Sequence, residues 1–364
     1  MAVSIGQPLV IDGTHGEGGG QILRTALSLS VITGRAVTLV NIRAGRPKPG
    51  LAAQHLTAIR AAAALCAAEV TGDALGALTL TFAPRTMARS GAYLFDVAEA
   101  RHGSSAGAAT LVLQTILLPL ALADGGSTVT LRGGTHVKSS PSFDYLREIW
   151  LPILDVMGVS AELELAQAGW FPIGKGEITA RIAGGTKLLR PIDWRRRGDL
   201  AGAWGRAVTA NLPSHVAQRM MDRAASLLAA DGLTAHISAT SMTSACAGAA
   251  LFLGVEYAQG RAGVTALGER GKPAEIVAEE AVAALLAFHR SNAAFDAHLA
   301  DQLIVPAALA AGPSIFTAER VTSHLLTNAW VVEQFGLARI EVSPGEGGVG
   351  LVNVTPNPPV RAAS

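Results

Sequence analysis

Residues 14–24, THGEGGGQILR, set a glycine-rich turn directly before an apolar helical pattern and put a carboxylate, Glu17, inside the turn. Glycines at the start of a helix let backbone N–H groups approach an anion at the positive end of the helix dipole. A carboxylate belongs beside a phosphate only if a cation lies between them. Mg²⁺ commonly takes one or two carboxylates together with phosphate oxygens. On this reading Glu17 holds a metal, while the helix start and Arg24 hold anionic oxygens. The plainer reading is a glycine loop that only opens a helix. The stretch lacks the GK[ST] ending of a P-loop, and a dinucleotide GxGxxG normally follows a strand in a parallel βαβ unit with an acidic partner further on.

A second stretch, IRAGRPKPG at 42–50, places Arg43, Arg46 and Lys48 on one short turn stiffened by prolines. Guanidinium forks match phosphate oxygens, so the three cations read either as a phosphate clamp or as a solvated basic loop. DWRRRGD at 193–199 reads as a solvated or inter-domain face. Two histidines, His55 in QHLTA and His324 in TSHLLTN, sit where apolar helices begin. Each is either a packed, hydrogen-bonded side chain or a nucleophile, because neutral imidazole can attack phosphorus and carry the group as a P–N adduct. Arginines and a metal nearby would neutralise the charge that such an attack develops.

The elements that must carry these residues recur along the chain. An apolar helix from Gln21 breaks at Gly34, and the strand AVTLVNI leads through the basic turn into the helix LAAQHLTAIRAAAALCAA. A second copy runs from Ala106 through STVTLR and GGTHVKSSPS to FDYLREIWLPILDVMG, and a third from DQLIVPAALAAG through PSIFTAERVTS to HLLTNAWVVEQFG. Strands of period two alternating with helices of period 3.6 predict an α/β or α+β layer architecture built on one repeated unit. The different stretch 186–272 reads as a small inserted α/β domain. The repeat-built domain then comprises 1–185 with 273–345, and 346–364 reads as a C-terminal tail that ends in proline-rich, frayed chain.

Bulk properties narrow the function. With 364 residues, 49% hydrophobic and 16% charged, the chain has room for a large core, and a mean hydropathy of +0.35 excludes disorder over most of its length. A net charge of +1 excludes a general field for nucleic acid, so any such site is local. The richest apolar run, AATLVLQTILLPLALA, contains Gln114 and Pro119 and reads as a buried helix and not a membrane span. No signal-peptide pattern precedes PLVIDG, which leads us to expect a cytoplasmic protein without a membrane partner. Cys66 and Cys246 have no metal spacing and read as inert thiols, and the nine histidines contain no HExxH. Self-association into a homo-oligomer is compatible with the sequence.

The blocks DGTHGEGGGQILRTALSLS, IRAGRPKPGLAAQHLTAI, ATLVLQTILLPLALADG, RGDLAGAWGRAV, HLADQLIVPAALA and SHLLTNAWVVEQF, in this order, closely resemble RNA 3′-terminal phosphate cyclases, and the resemblance runs nearly to Phe335. It implies three βαβαββ-type units, as in the enolpyruvyl transferase-like fold, with a small inserted α/β domain. It implies that ATP adenylates the protein and that AMP passes to an RNA 3′-terminal phosphate. The 2′-OH then closes a 2′,3′-cyclic phosphate and expels AMP. Matched position by position, it implies an adenylated nucleophile at His324 and a ligand for Mg²⁺ or Mn²⁺ at Glu17. Catalytic arginines fall at Arg24, Arg43 and Arg46, and RNA-phosphate contacts at Arg43, Arg46, Lys48, Gln54 and His55. An ATP site falls on Gln114, Pro141, His298, Asp301 and Gln302. The chain departs from the common pattern with His298 where many members have tyrosine, with GVTALGERG lacking an aromatic residue, and with Lys175 in GKG; these bear on the nucleotide pocket. The rivals are a catalytically inactive cyclase-like protein of ribosomal RNA processing, an enolpyruvyl transferase and a simple RNA-binding module. Retention of His324, Glu17, Arg43 and Arg46 argues against the first. Chain length and a covalent histidine argue against the second, and near-zero charge with 5% aromatic residues against the third.

Overall fold

The structure is a computed structural model that describes residues 7–100, 105–344 and 349–358. Its first repeat runs β1 (Leu9–Asp12), α1 (Gln21–Thr33), β2 (Val37–Val40), α2 (Ala53–Cys66), β3 (Glu69–Thr71) and β4 (Leu80–Ala83). The second runs β5 (Ala92–Asp96), α3 (Ala109–Ala121), β6 (Ser127–Gly133), a broken helix, β7 (Ala161–Gln167) and β8 (Gly176–Ile182). That helix consists of α4 (Phe143–Tyr145), a π turn at Leu146–Trp150 and α5 (Leu151–Val156). Strand orders are β1-β2-β4-β3 and β5-β6-β8-β7, each opening with a parallel pair and closing with two antiparallel ones. This is the expected βαβαββ unit, made twice with one topology.

The third unit is interrupted. Its first strand, β9 (Asp193–Trp194), pairs in parallel with β14 (Ser314–Ala318), and the insert lies between them in sequence. The insert holds β10 (Leu200–Ala210), α6 (His215–Ala230), β11 (His236–Ser241), β12 (Gly248–Tyr257), β13 (Gly260–Leu267) and α7 (Ala274–Ser291), with sheet order β11-β10-β12-β13. The repeat resumes with α8 (Ala297–Gln302), α9 (Ile304–Ala308), β14, α10 (Ser323–Gln334), β15 (Ala338–Pro344) and β16 (Gly350–Pro356).

Two boundaries therefore differ from the sequence expectation. The insert is not 186–272: α7 packs its apolar face, with Val277, Ala281 and Leu285 buried, into the insert's own core beside Leu251 and Leu253. Residues 193–194 belong instead to the third repeat. The expected tail 346–364 likewise supplies β16, paired antiparallel to both β14 and β15. Alternation in GLVNVTP buries Val352 and Val354 and is the signature of a half-covered strand, which proline-rich neighbours obscured. Residues 359–364 lie outside the described residues.

The three repeats share one core. Helix α3 shows why it sits at the centre: every residue of Ala109–Ala121 is buried except Gln114, because the stretch is apolar on all faces. Among the described residues no helix is long and apolar enough to cross a membrane. Insert and body are joined by a charged cluster. Asp144, 1% exposed, meets Arg206 of β10 and His136 (Nε2 to Oδ2, 3.2 Å), with the Arg147 guanidinium at 3.7 Å. Burial opposes its charge, but the His136 bond and the arginines outweigh it and hold its pKa below the usual carboxylate value. Removing one partner of a buried ion pair leaves a charge without compensation. Arg206→Ala is expected to lower stability by about 3 kcal/mol, read from urea unfolding. An unchanged midpoint would show that the cluster does not join the two parts.

Candidate active site

The glycine loop is shaped by close approach. Gly16 and Gly18 adopt φ of 58° and 57°, and a Cβ at Gly16 would overlap Thr327 Oγ1 of α10. A Cβ at Gly20 would lie 2.6 Å from His55 Nε2 and 3.0 Å from Arg24 Nη1. Only a chain without side chains here lets the loop lie between the first and third repeats. Thr327 Oγ1 accepts the Glu17 N–H at 3.3 Å, which ties the loop to the helix that carries His324.

That helix begins where Thr322 caps it by accepting from Leu325 N at 3.0 Å, setting His324 in the first turn. His324 Nε2 lies 3.5 Å from Glu17 Oε2, with side-chain exposures of 40% and 7%. Arg46 reaches the same carboxylate, and Glu17 Oε1 lies 3.4 Å from the Gln21 N–H. Burial lowers the His324 pKa; Glu17 pulls it up, while Arg24, Arg46 and His298 push it down, and the net shift is downward. The imidazole is thus neutral at physiological pH and carries a free lone pair, as a nucleophile must.

Arg24 donates to Gln21 Oε1 at 2.6 Å. Burial brings its pKa to about 10, against the opposing pull of Glu17 and Asp301, so it remains a cation. Asp301 is 6% exposed on α8, which Asp296 caps by accepting from His298 N and Leu299 N, both at 2.9 Å. Burial, with the Asp296 and Glu17 carboxylates nearby, raises Asp301 well above the carboxylate range despite Arg24. A proton held there would let it donate as well as accept.

Behind these groups a cleft is lined by Arg24, Gln114, Asp301 and Gln302, and by Gln21 and Asn328. Gln114 Nε2 donates to Gln302 Oε1 at 2.6 Å, bridging the second and third repeats. The structure thus brings together Glu17, Arg24, Arg46 and His324 at the rim and Gln114, Asp301 and Gln302 inside. His298 is exposed and contributes to the field at His324. Pro141 is partly buried but is not among the residues that line the cleft.

The remaining expected residues take other positions. Arg43 sits in the left-handed region at φ 57° and donates to Gly50 O at 2.7 Å, so it shapes the basic turn. Burial and the Arg46 charge lower its pKa. Lys48 is exposed. Gln54 Oε1 accepts Ala108 N at 3.0 Å, joining α2 to the start of α3. His55 is 3% exposed and its Nδ1 accepts the Ala52 N–H at 3.1 Å, the reciprocal half of a capping box. Its pKa falls to about 3, through burial first and then Arg24 and Arg43. With Nδ1 accepting, the ring hydrogen is assigned to Nε2, which faces Gly20 as a neutral donor.

Sequence reasoning missed Asn328, the hub of the site. Its Oδ1 accepts from Thr25 Oγ1 at 2.6 Å and Gln21 Nε2 at 3.1 Å, and its Nδ2 donates to Asp301 O at 2.9 Å. The available signal was a polar residue, 1% exposed, in the helical pattern LLTNAWVV. Among the described residues no group of three or more His, Cys, Asp or Glu could hold a metal. Glu17 alone still fits a Mg²⁺ that completes its shell with phosphate oxygens and water.

A family model described as RNA 3′-terminal phosphate cyclase matches residues 15–342. The chain is similar to the RNA 3′-terminal phosphate cyclase of Methylococcus capsulatus, with 59% identity over 96% of this chain and 97% of the other. It is also similar to those of Nostoc punctiforme, with 50% identity over 95% and 99%, and Trichormus variabilis, with 50% over 92% and 96%.

Proposed function

The chain belongs to the RNA 3′-terminal phosphate cyclase family, and from that premise we propose that His324 is its nucleophile, with the cleft behind it as the nucleotide site. The reaction is the ATP-dependent conversion of an RNA 3′-terminal phosphate to a 2′,3′-cyclic phosphate. A phosphate monoester is a poor electrophile for its neighbouring hydroxyl until one oxygen is part of a good leaving group. Adenylation supplies that leaving group.

In the proposed sequence, the His324 lone pair attacks the α-phosphorus of ATP, a P–N bond forms and pyrophosphate leaves. An oxygen of the RNA 3′-phosphate then attacks the same phosphorus, the P–N bond breaks and an RNA–AMP anhydride results. The 2′-OH attacks the 3′-phosphorus, gives up its proton, and AMP leaves. Arg24 and Arg46 hold the phosphoryl oxygens and offset their growing charge. Gln114, Asp301 and Gln302 hold the nucleoside, and the Nε2–H of His55 offers a further donor at the loop. Glu17 would hold the divalent cation, Mg²⁺ or Mn²⁺, which supplies charge neutralisation when bound. A cytoplasmic location is part of the same reading.

The observation that carries this assignment is the half-buried His324 imidazole 3.5 Å from Glu17, with its pKa lowered by burial and by the charges of Arg24 and Arg46. Single-turnover adenylation measured against pH tests it. Because the free imidazole titrates near 6.5 and the site lowers that value, the rate should be level from pH 8 to about 6.5 and fall only below it. An inflection above 6.5 would mean that another group is the nucleophile.

A further inference from the structure

His15, the residue immediately before Gly16 of the glycine loop, lies flat on Trp330 of α10, with ring centroids 3.9 Å apart and planes 11° apart. Neither side chain takes part in a hydrogen bond among the described residues. His15 is nevertheless exposed although Trp330 covers one face of its ring, so the opposite face is open to solvent. The fold does not need this pair to hold loop and helix together, since the Thr327–Glu17 bond does that two residues away. Leu326, one turn before Trp330 on the same helix, is 49% exposed and extends the apolar surface beside the rings.

The position matters more than the stacking itself. His15 is two residues from Glu17, at most about 7 Å along the backbone, no more than the reach of one extended nucleotide. Trp330 follows His324 by six residues on α10. An RNA whose terminal phosphate meets Arg46 and His324 lies beside the glycine loop and α10, the two elements that carry His15 and Trp330. A chain with a net charge near zero has little long-range field to hold the strand beyond that phosphate, and the open face of the His15 ring offers a contact next to it.

The geometry points to His15, backed by Trp330, as the stacking platform for the nucleobase upstream of the terminal nucleotide. The inference rests on the cyclase reading of the site and adds a subsite to it. Every base has a π face, so the platform strengthens binding without reading sequence. A low aromatic content does not preclude such a platform, because two aromatic residues far apart in sequence form one surface.

The test is equilibrium binding of a fluorescent trinucleotide with a 3′-phosphate, compared with the same molecule abasic at its middle position. Wild type should bind the intact trinucleotide roughly tenfold more tightly than the abasic one. His15→Ala should lose that preference while binding the abasic molecule as wild type does, and His15→Tyr should retain it. His15 is exposed on a loop, so neither change threatens folding. Equal affinity of wild type for the two ligands, or an undiminished preference in His15→Ala, would overturn the inference. Labelling of the protein by ATP alone is read in the same preparations and should be unchanged in both variants. This separates a failed platform from a failed histidine assignment.

Discussion

His324→Ala will not take up label from ATP carrying a labelled α-phosphate, whereas the wild-type protein will, with Mg²⁺ present and RNA absent. The loss should be on the order of 10⁴-fold or more, as when a covalent nucleophile is removed and nothing nearby replaces it. The adduct should be labile to acid and stable to alkali, as expected of a P–N bond. The substitution is mild for the fold. The side chain is 40% exposed, the Thr322 cap of α10 is untouched, and exposed changes of this kind usually stay within about 0.5 kcal/mol. A circular dichroism spectrum and melting temperature matching wild type would exclude unfolding as the cause. Two other histidines are close enough to test the assignment. His298 is exposed and influences His324, while His55 is buried with Nδ1 engaged by Ala52. Labelling that persists in His324→Ala would show that the imidazole beside Glu17 is not the nucleophile, and His298 would be examined next.

Glu17→Gln is expected to slow adenylation by on the order of a hundredfold at low Mg²⁺, with partial recovery as Mg²⁺ or Mn²⁺ is raised. The amide keeps the size of the carboxylate and the contact with Gln21 N, but removes the charge on which a divalent cation and Arg46 both depend. The same change should also move the pH inflection of adenylation downward, because Glu17 is the group that raises the His324 pKa against burial and the arginines. These two readouts separate two roles. A downward inflection with no metal response would make Glu17 an electrostatic partner of His324 alone. No change in either would remove it from the site.

The residues with chemistry were legible because each broke a local pattern. Glu17 is a charge in a glycine turn, and Gln114 a polar residue in a helix that is otherwise apolar. His324 was less distinct, since His55 has the same place at the start of an apolar helix and in the structure serves as a buried cap facing the loop. Sequence alone could not separate them, because a helix start looks the same whether it faces a cleft or a neighbouring loop. Exposure, and the charge that faces the ring, made the difference.

The sequence by itself determined the secondary elements and their repetition. Periods of 2 and 3.6 and the glycine breaks act over a few residues, and an apolar stretch such as Ala109–Ala121 has no stable place except a shared core. It also allowed the shape of the loop, since the left-handed backbone at positions 16 and 18 is one that glycine adopts at little cost. What the tertiary structure decided is which polar residues meet. Glu17 with Thr327, Thr25 with Asn328, Gln114 with Gln302 and His15 with Trp330 are contacts between residues 188 or more positions apart. The boundary residues of the insert and the strand of the C-terminal segment were decided in the same way: α7 and β16 contain ordinary local patterns, and the apolar surface that each one covers belongs to another part of the chain. Local periodicity says that a face will be buried, and only the packing of the repeats says against what.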